Sequence, residues 1–141
     1  MALLDDKIKQ EVKTALGDLP NAVRLVMFTQ EFECQFCRET RQLVEEVAEV
    51  HDQISTEILN FVVDKDEVDA YGIDKIPAVA VVGEKDFGIR FYGIPSGYEF
   101  SSLIESIKLA STGRPQLSPA AIEFAQGLKD PVHIQVYVTP T

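Results

Sequence analysis

The sequence predicts an α/β fold in which a four-stranded mixed sheet is flanked by helices, as β-α-β followed by β-β-α. Three observations support this prediction. Helical and strand-like patterns alternate over residues 3–72, two strand patterns then follow each other across the short turn 83–87, and Cys34-Gln-Phe-Cys37 stands between the first strand pattern and the next helix. Alternation implies parallel strands with right-handed crossovers, whereas a short connection implies an antiparallel hairpin.

The N-terminal part of the chain contains the alternating elements. Apolar residues at three- and four-residue steps predict helices, and short apolar runs predict buried strands. The predicted order is helix 3–16, strand 22–28, helix 35–51, strand 56–63 and helix 64–71. The segment Asp64-Lys-Asp-Glu67 resembles a capping box and is expected to open the last of these helices.

A hairpin and a long helix follow. The predicted strands are Pro77–Val82 and Gly88–Tyr92. Ser96-Gly-Tyr-Glu99 resembles a second capping box, and the apolar positions after it predict a helix that Gly113 ends. These elements complete the first predicted region, residues 1–113, whose helix 3–16 is an addition to the β-α-β and β-β-α core.

The C-terminal residues repeat the pattern of the N-terminus. After a linker at 114–117, Ser118-Pro119 is typical of a helix start, and the helix is expected to reach about residue 128. A strand is predicted at 132–138, so that His133–Thr139 lies opposite Val23–Thr29 about 110 residues earlier. We therefore interpret residues 118–141 as the first helix and strand of a truncated second unit. An ordinary C-terminal helix and edge strand is the alternative.

Composition and charge exclude several classes of function. The net charge of −10 argues against nucleic acid and anionic membranes as partners, since both require a basic surface. No apolar run approaches 18 residues, so no membrane-spanning helix is expected. The N-terminus lacks the layout of a signal peptide, which favours a cytoplasmic protein.

The two cysteines are the candidate catalytic residues. A C-x-x-C pair between a strand and a helix is typical of a dithiol-disulfide site, in which one thiolate attacks a disulfide and the other resolves the intermediate. Cys34, near the helix N-terminus, is predicted to be the nucleophile, and Cys37, one turn further in, the resolving thiol. Positive and negative neighbours compete here, and we expect only a modestly lowered pKa for Cys34; these neighbours are Glu31, Glu33, Arg38 and Arg41.

Two other interpretations of the cysteines remain open. A C-x-x-C pair is also half of a four-ligand zinc site, but that site needs two more ligands, and His51 and His133 are isolated. The cysteines could also be a chance buried pair. We expect neither a metal nor a cofactor beyond the redox-active disulfide.

Four residues are expected to contact substrate. Pro77 directly precedes a strand, and an ordinary edge or strand-start proline is one interpretation. The element order with its C-x-x-C resembles a thioredoxin-like fold, and the resemblance implies a cis bond after Ile76 that turns the chain beside the cysteines and leaves the Ile76 backbone to pair with an extended segment. Gln35 and Phe36 lie between the cysteines. Together with Phe32, Phe36 forms either an apolar collar around the site or part of the core.

The chain resembles the N-terminal unit of the glutaredoxin-like protein disulfide oxidoreductases, which belong to the thioredoxin and glutaredoxin superfamily. The resemblance rests on Cys34–Cys37, Asp74-Lys-Ile-Pro77, the segment 86–100 and the closing Val136-Tyr-Val-Thr-Pro-Thr141.

The resemblance implies a thioredoxin-like fold and thiol-disulfide exchange with protein disulfides and dithiols, through Cys34 and Cys37 beside a cis Pro77. It also implies a thioredoxin-reductase-like flavoprotein as the electron partner. A non-catalytic or redox-sensing docking module is the alternative function.

Overall fold

The computed structural model describes residues 1–139 and contains the predicted α/β arrangement. The strands form one sheet in the order β2-β1-β3-β4, in which β1 and β2 are parallel and the other neighbours are antiparallel. Both the parallel crossover and the hairpin are thus confirmed. The elements are α1 Asp6–Leu16, β1 Val23–Thr29, α2 Cys37–Ala48, β2 Ile54–Asn60, α3 Lys65–Ala70, β3 Ala78–Val82, β4 Ile89–Tyr92, α4 Tyr98–Thr112 and α5 Pro119–Gln126.

Helices cover both faces of the sheet. Leu25 and Met27 of β1 belong to a core that includes side chains of α1, α2 and α4. Val26 and Phe28 belong to a second, smaller core with Val68 of α3. Because successive side chains of a strand point to opposite faces, a central strand covered on both sides needs a continuous apolar run. Strand β1 is therefore a rigid support for the cysteine loop that follows it.

Strand β2 ends at Asn60 rather than at Val63, because the side chain of Asn60 turns the chain. Its Oδ1 accepts hydrogen bonds from the backbone N–H groups of Val62 and Val63, at 2.9 and 3.0 Å. The carboxylate of Asp64 accepts from the Asn60 N–H at 2.6 Å instead of from the first turn of α3. The predicted capping box at 64–67 is therefore wrong, although α3 does begin at Lys65.

Helix α4 also begins differently from the prediction. It starts at Tyr98 after Gly97, whose φ of 60° is one that glycine adopts readily, and no side chain caps it. The capping box expected at Ser96–Glu99 is therefore absent. The helix ends, as predicted, at Gly113, which is left-handed and donates its N–H to the carbonyl of Leu109 at 2.8 Å.

The C-terminal region forms its helix but not its strand. The hydroxyl of Ser118 accepts from the N–H of Ala121 at 3.2 Å with Pro119 at the first helical position, so this cap is confirmed. Helix α5 buries none of its residues. The prediction of a strand at 132–138 is wrong: this segment has no regular structure and its side chains are exposed. A strand requires a neighbouring strand, and the described part of the chain places none beside this segment.

Candidate functional site

The two cysteines are joined as a disulfide at the junction of β1 and α2. Their Cα atoms lie 5.5 Å apart, within the usual range for a disulfide. Cys37 is the first residue of α2 and is only 3% exposed, whereas Cys34 lies in the preceding loop and is partly exposed. The relative burial predicted for the two sulfurs is confirmed. The accessible sulfur is the one that an external disulfide can approach.

The backbone around the cysteines is fixed by local hydrogen bonds. The carbonyl of Phe36 accepts from both the N–H and the hydroxyl of Thr40, at 2.9 and 2.6 Å, and Thr40 is fully buried. Glu33, just before Cys34, has a φ of 56°, which is uncommon for a residue other than glycine. The sequence contains no glycine, asparagine or aspartate at this position to indicate the left-handed turn.

The peptide bond between Ile76 and Pro77 is cis, as predicted. Pro77 is buried and comes directly before β3, whose Ala78 pairs with Phe28 near the end of β1. The cis bond and the cysteine loop therefore lie at the same end of the sheet. Within residues 1–139, neither the N–H nor the C=O of Ile76 forms a hydrogen bond. These two groups are available to pair with an extended peptide.

An open cavity of about 490 Å³ lies beside the cysteines. Arg38 and Arg41 of α2 line it, but Arg41 is paired with Glu45 at 2.9 Å. The side chain of Arg38 forms no ion pair or hydrogen bond with any described residue. The cavity lining consists of Thr29, Gln30, Glu31, Cys34, Cys37, Arg38, Arg41, Ile58, Leu59, Asn60 and Asp64.

A second cavity, of about 430 Å³, adjoins the first and shares Gln30, Glu31 and Asn60 with it. Its other lining residues are Phe32, Glu33, Val62 and Val63. We call the two cavities together the cysteine cleft. Sequence reasoning missed Val62 and Val63, because the predicted strand extended through both.

The aromatic residues near the cysteines are not core residues. Phe32 is 79% exposed and Phe36 is 44% exposed, so the core-packing alternative is excluded. Gln35, also predicted to contact substrate, is exposed next to them. The apolar surface around the site therefore comes from Phe32, Phe36, Val62 and Val63.

A larger cavity of about 650 Å³ lies at the other end of β1, and no cysteine lines it. Its lining includes Arg24, whose Nε lies 3.2 Å from Glu57, and Asp86, which accepts two hydrogen bonds from the guanidinium of Arg90. These bonds hold the pKa of Asp86 below its usual value despite partial burial. The Asp86–Arg90 pair lies in the hairpin, and the Arg24–Glu57 pair joins β1 to β2.

The two histidines do not approach the cysteines. Nε2 of His51 lies 3.1 Å from the carbonyl of Gly17, and its Nδ1 accepts from the N–H of Gln53, so its role is to hold a loop. His133 is exposed in the C-terminal segment. Among residues 1–139, no group of three or more His, Cys, Asp and Glu side chains is placed to hold a metal ion. None of the described helices is long and apolar enough to cross a membrane.

Comparison with known proteins places these features in a family. The model of a thioredoxin domain matches residues 25–105, which contain both cysteines and Pro77. An alkyl hydroperoxide reductase of Staphylococcus epidermidis is 30% identical over 105 residues, which are 73% of this chain and 18% of that protein. An NADH dehydrogenase of Bacillus subtilis is 27% identical over 141 residues, 99% of this chain and 25% of that protein.

Solved structures share the fold. A protein disulfide oxidoreductase from Aeropyrum pernix superposes with a TM-score of 0.80 at 23% identity, covering 92% of this chain and 57% of that one. The thioredoxin-like fold predicted from the sequence is thereby confirmed. The chain spans a quarter or less of the length of the two curated relatives, the alkyl hydroperoxide reductase and the NADH dehydrogenase.

Proposed function

Because the chain belongs to the thioredoxin domain family, we propose that it is a dithiol-disulfide oxidoreductase acting on protein disulfides. The observation that carries this proposal is the Cys34–Cys37 disulfide, with one sulfur buried at the start of α2 and the other bordering an open cleft. A pair in this arrangement separates the two roles that thiol-disulfide exchange requires.

The reaction proceeds in two exchanges. In the reduced protein the Cys34 thiolate attacks one sulfur of the substrate disulfide, and the other substrate sulfur leaves as a thiolate. The Cys37 thiolate then attacks the Cys34 sulfur, which breaks the mixed disulfide and releases the second substrate thiolate. Two electrons pass to the substrate, and the Cys34–Cys37 disulfide is restored.

We assign substrate positioning to the groups around the cysteines. The unpaired N–H and C=O of Ile76 would bond an extended peptide, as strands do when they add to a sheet. Pro77 holds this peptide unit at the cysteine end of the sheet. The exposed side chains of Gln35 and Phe36 would contact the residues next to the substrate cysteine.

For the electron partner we propose a thioredoxin-reductase-like flavoprotein, with the reaction taking place in the cytoplasm. This proposal is supported by the match to the Staphylococcus epidermidis protein, which is named as a reductase and of which the matched residues make up 18%. Such a reductase would return the oxidised pair to its dithiol form.

We also propose that residues 118–141, of which positions 140 and 141 lie outside the described residues, are the beginning of a second thioredoxin-like unit, separate from the unit at 1–113. The helix start at Ser118 and the repeat of Val23–Thr29 at His133–Thr139 support this assignment. So does the exposure of apolar residues in this region, which a second core would bury.

Turnover of insulin disulfides by dithiothreitol, with and without the protein, tests the proposed function. We expect acceleration by the wild type, none by Cys34→Ser, and accumulation of a mixed disulfide with Cys37→Ser, because the resolving thiol is then missing. Circular dichroism spectra of both variants control for folding. A folded wild type that does not accelerate the reaction would overturn the proposal and favour a docking role.

A further inference from the structure

The two cavities of the cysteine cleft differ in the charge and polarity of the side chains that line them. In the cavity that the cysteines line, Arg38 is the basic side chain without a partner among the described residues. Arg41 is committed to Glu45, and the carboxylate of Asp64 to the N–H of Asn60. The part of the cleft nearest Cys34 therefore retains one positive charge that can pair with a ligand.

The adjoining cavity is apolar on its outer side. Phe32, Val62 and Val63 line it and are exposed, at 79%, 63% and 76%. Glu31 stands where the two cavities meet, and its side chain forms no ion pair or hydrogen bond within residues 1–139. Glu31 lines both cavities, but the first also contains Arg38, whereas the second contains Glu33 and no basic side chain among the described residues. An acidic ligand group is consequently disfavoured in the second cavity, while an apolar group gains contact there.

We propose that the cysteine cleft selects disulfides whose attacked cysteine has an acidic residue two positions away on one side and a large apolar residue two positions away on the other. Arg38 binds the acidic residue, and Phe32 with Val62 and Val63 contacts the apolar one. Successive side chains of an extended peptide point to opposite faces, so residues two positions before and after the cysteine share its face, each about 7 Å along the chain, and reach the two adjoining cavities together. The inference rests on the proposed function and names the substrate class of the same site.

The test uses peptides whose single cysteine forms a disulfide with a chromogenic thiol. Attack by reduced Cys34 on the peptide sulfur releases that thiol, which gives the rate of the first exchange. At the positions two before and two after the cysteine, the four peptides carry acid and leucine, acid and serine, serine and leucine, or acid on both sides. We expect the acid-and-leucine peptide to have the highest second-order rate constant, about threefold or more above each of the others, the size of an exposed ion pair or a modest apolar contact.

Matched variants assign the effect to the two ends of the cleft. Arg38→Gln should remove the preference for the acidic residue, mainly by raising the half-saturating peptide concentration, so that the rate ratio of the acid-and-leucine to the serine-and-leucine peptide falls to about one. Arg114→Gln makes the same change of charge in the linker and should have no effect. Phe32→Ser should remove the preference for leucine, whereas Phe124→Ser on exposed α5 should not.

The outcomes separate this inference from the proposed function. Equal rates with all four peptides would overturn the substrate preference and leave the oxidoreductase activity intact. An equal loss with every peptide in Arg38→Gln would also overturn it, because Arg38 would then act on the Cys34 thiolate rather than on the substrate. No chromogenic release by the folded, reduced wild type would overturn both.

Discussion

The carboxylate of Glu46 accepts a 2.7 Å hydrogen bond from the backbone N–H of Leu4 and so ties the N-terminal segment to α2. Its other oxygen accepts from the N–H of Leu3 at 3.0 Å and from the side chain of Gln42 at 2.8 Å. Burial alone would raise the pKa of Glu46. These hydrogen bonds and the charge of Lys9 outweigh burial, and the pKa lies below its ordinary value of 4.5.

Glu46→Gln should therefore destabilise the protein at neutral pH. When the pKa of a carboxyl group is lower in the folded protein than in the unfolded one, ionisation of that group stabilises the fold. This stabilisation is complete at pH values above the unfolded-state pKa and is lost as the pH falls through the folded-state pKa. We expect the variant to lose about 1–3 kcal/mol of unfolding free energy at pH ~7, the contribution of hydrogen bonds to a charged group. The difference should shrink on the acid side of 4.5.

Urea unfolding across this pH range measures the effect. Glu49→Gln, at the end of the same helix, is the control, since Glu49 is exposed and within residues 1–139 its side chain pairs with Lys9 alone, at 3.2 Å. We expect it to cost under about 1 kcal/mol. A pH-independent loss in Glu46→Gln would show that packing rather than charge is responsible.

Gly83, just after β3, lies directly against the backbone of Ala110 in α4. A Cβ added to Gly83 would overlap the backbone carbonyl of Ala110. Because this carbonyl is part of the backbone, it cannot move aside as a flexible side chain would. Gly83→Ala should cost about 1–3 kcal/mol of unfolding free energy, as overpacking does in tightly packed cores.

Thermal unfolding of Gly83→Ala and of Gly127→Ala checks this expectation. At Gly127 the nearest atom to an added Cβ is 3.4 Å away, and the backbone φ is −80°, so the same substitution meets neither overlap nor strain. A stable Gly83→Ala protein would mean that α4 moves away from the sheet at little cost.

The unequal burial of the cysteines predicts unequal reactivity in the reduced protein. Cys34, left as the single thiol in Cys37→Ser, should react with iodoacetamide at least about tenfold faster than Cys37 in Cys34→Ser, because buried thiols are poorly accessible. Both variants should react alike in urea, which controls for intrinsic reactivity. Equal rates of reaction with iodoacetamide in the two folded variants would remove the structural basis for assigning Cys34 as the nucleophile.

The parts of the fold that sequence predicted well are those fixed by local chemistry. The C-x-x-C, the proline before β3 and the hairpin turn are each specified by adjacent residues, and all three are where they were expected. The boundary between β2 and α3 failed because of competing hydrogen bonds. The Asp64 carboxylate accepts from the Asn60 N–H and the Asn60 side chain accepts from Val62 N–H, so neither caps α3, and no spacing rule distinguishes these uses of an acidic or amide side chain from helix capping.

The cysteine cleft was only partly predictable for a different reason. Cys34 lies in the loop just before α2 and Arg38 in the first turn of that helix, so their proximity follows from their closeness in sequence. Val62 and Val63 come from the turn after β2, and they line one cavity with Phe32 because β2 pairs in parallel with β1 in a particular register, Thr29 opposite Asn60. That register depends on the whole sheet.

We expect the first folded unit to end at Gly113. Helix α5 buries none of its residues, and the segment 131–139 is exposed throughout. Because residues that bury nothing contribute little to stability, a chain ending at Gly113 should have the same unfolding free energy as the full chain, within about 0.5 kcal/mol. It should also bind less of an apolar fluorescent dye, since it lacks the exposed apolar residues beyond the linker.

Deletion of residues 1–4 is the matched truncation at the other end, and it should behave differently. It removes Leu4, which is buried, together with the two N–H groups that bond Glu46, so we expect a loss of about 2–4 kcal/mol. Urea unfolding of the two truncated chains beside the full chain makes the comparison. If the C-terminal deletion proved as costly as the N-terminal one, residues 118–139 would be part of the first unit, and their assignment to a second would be wrong.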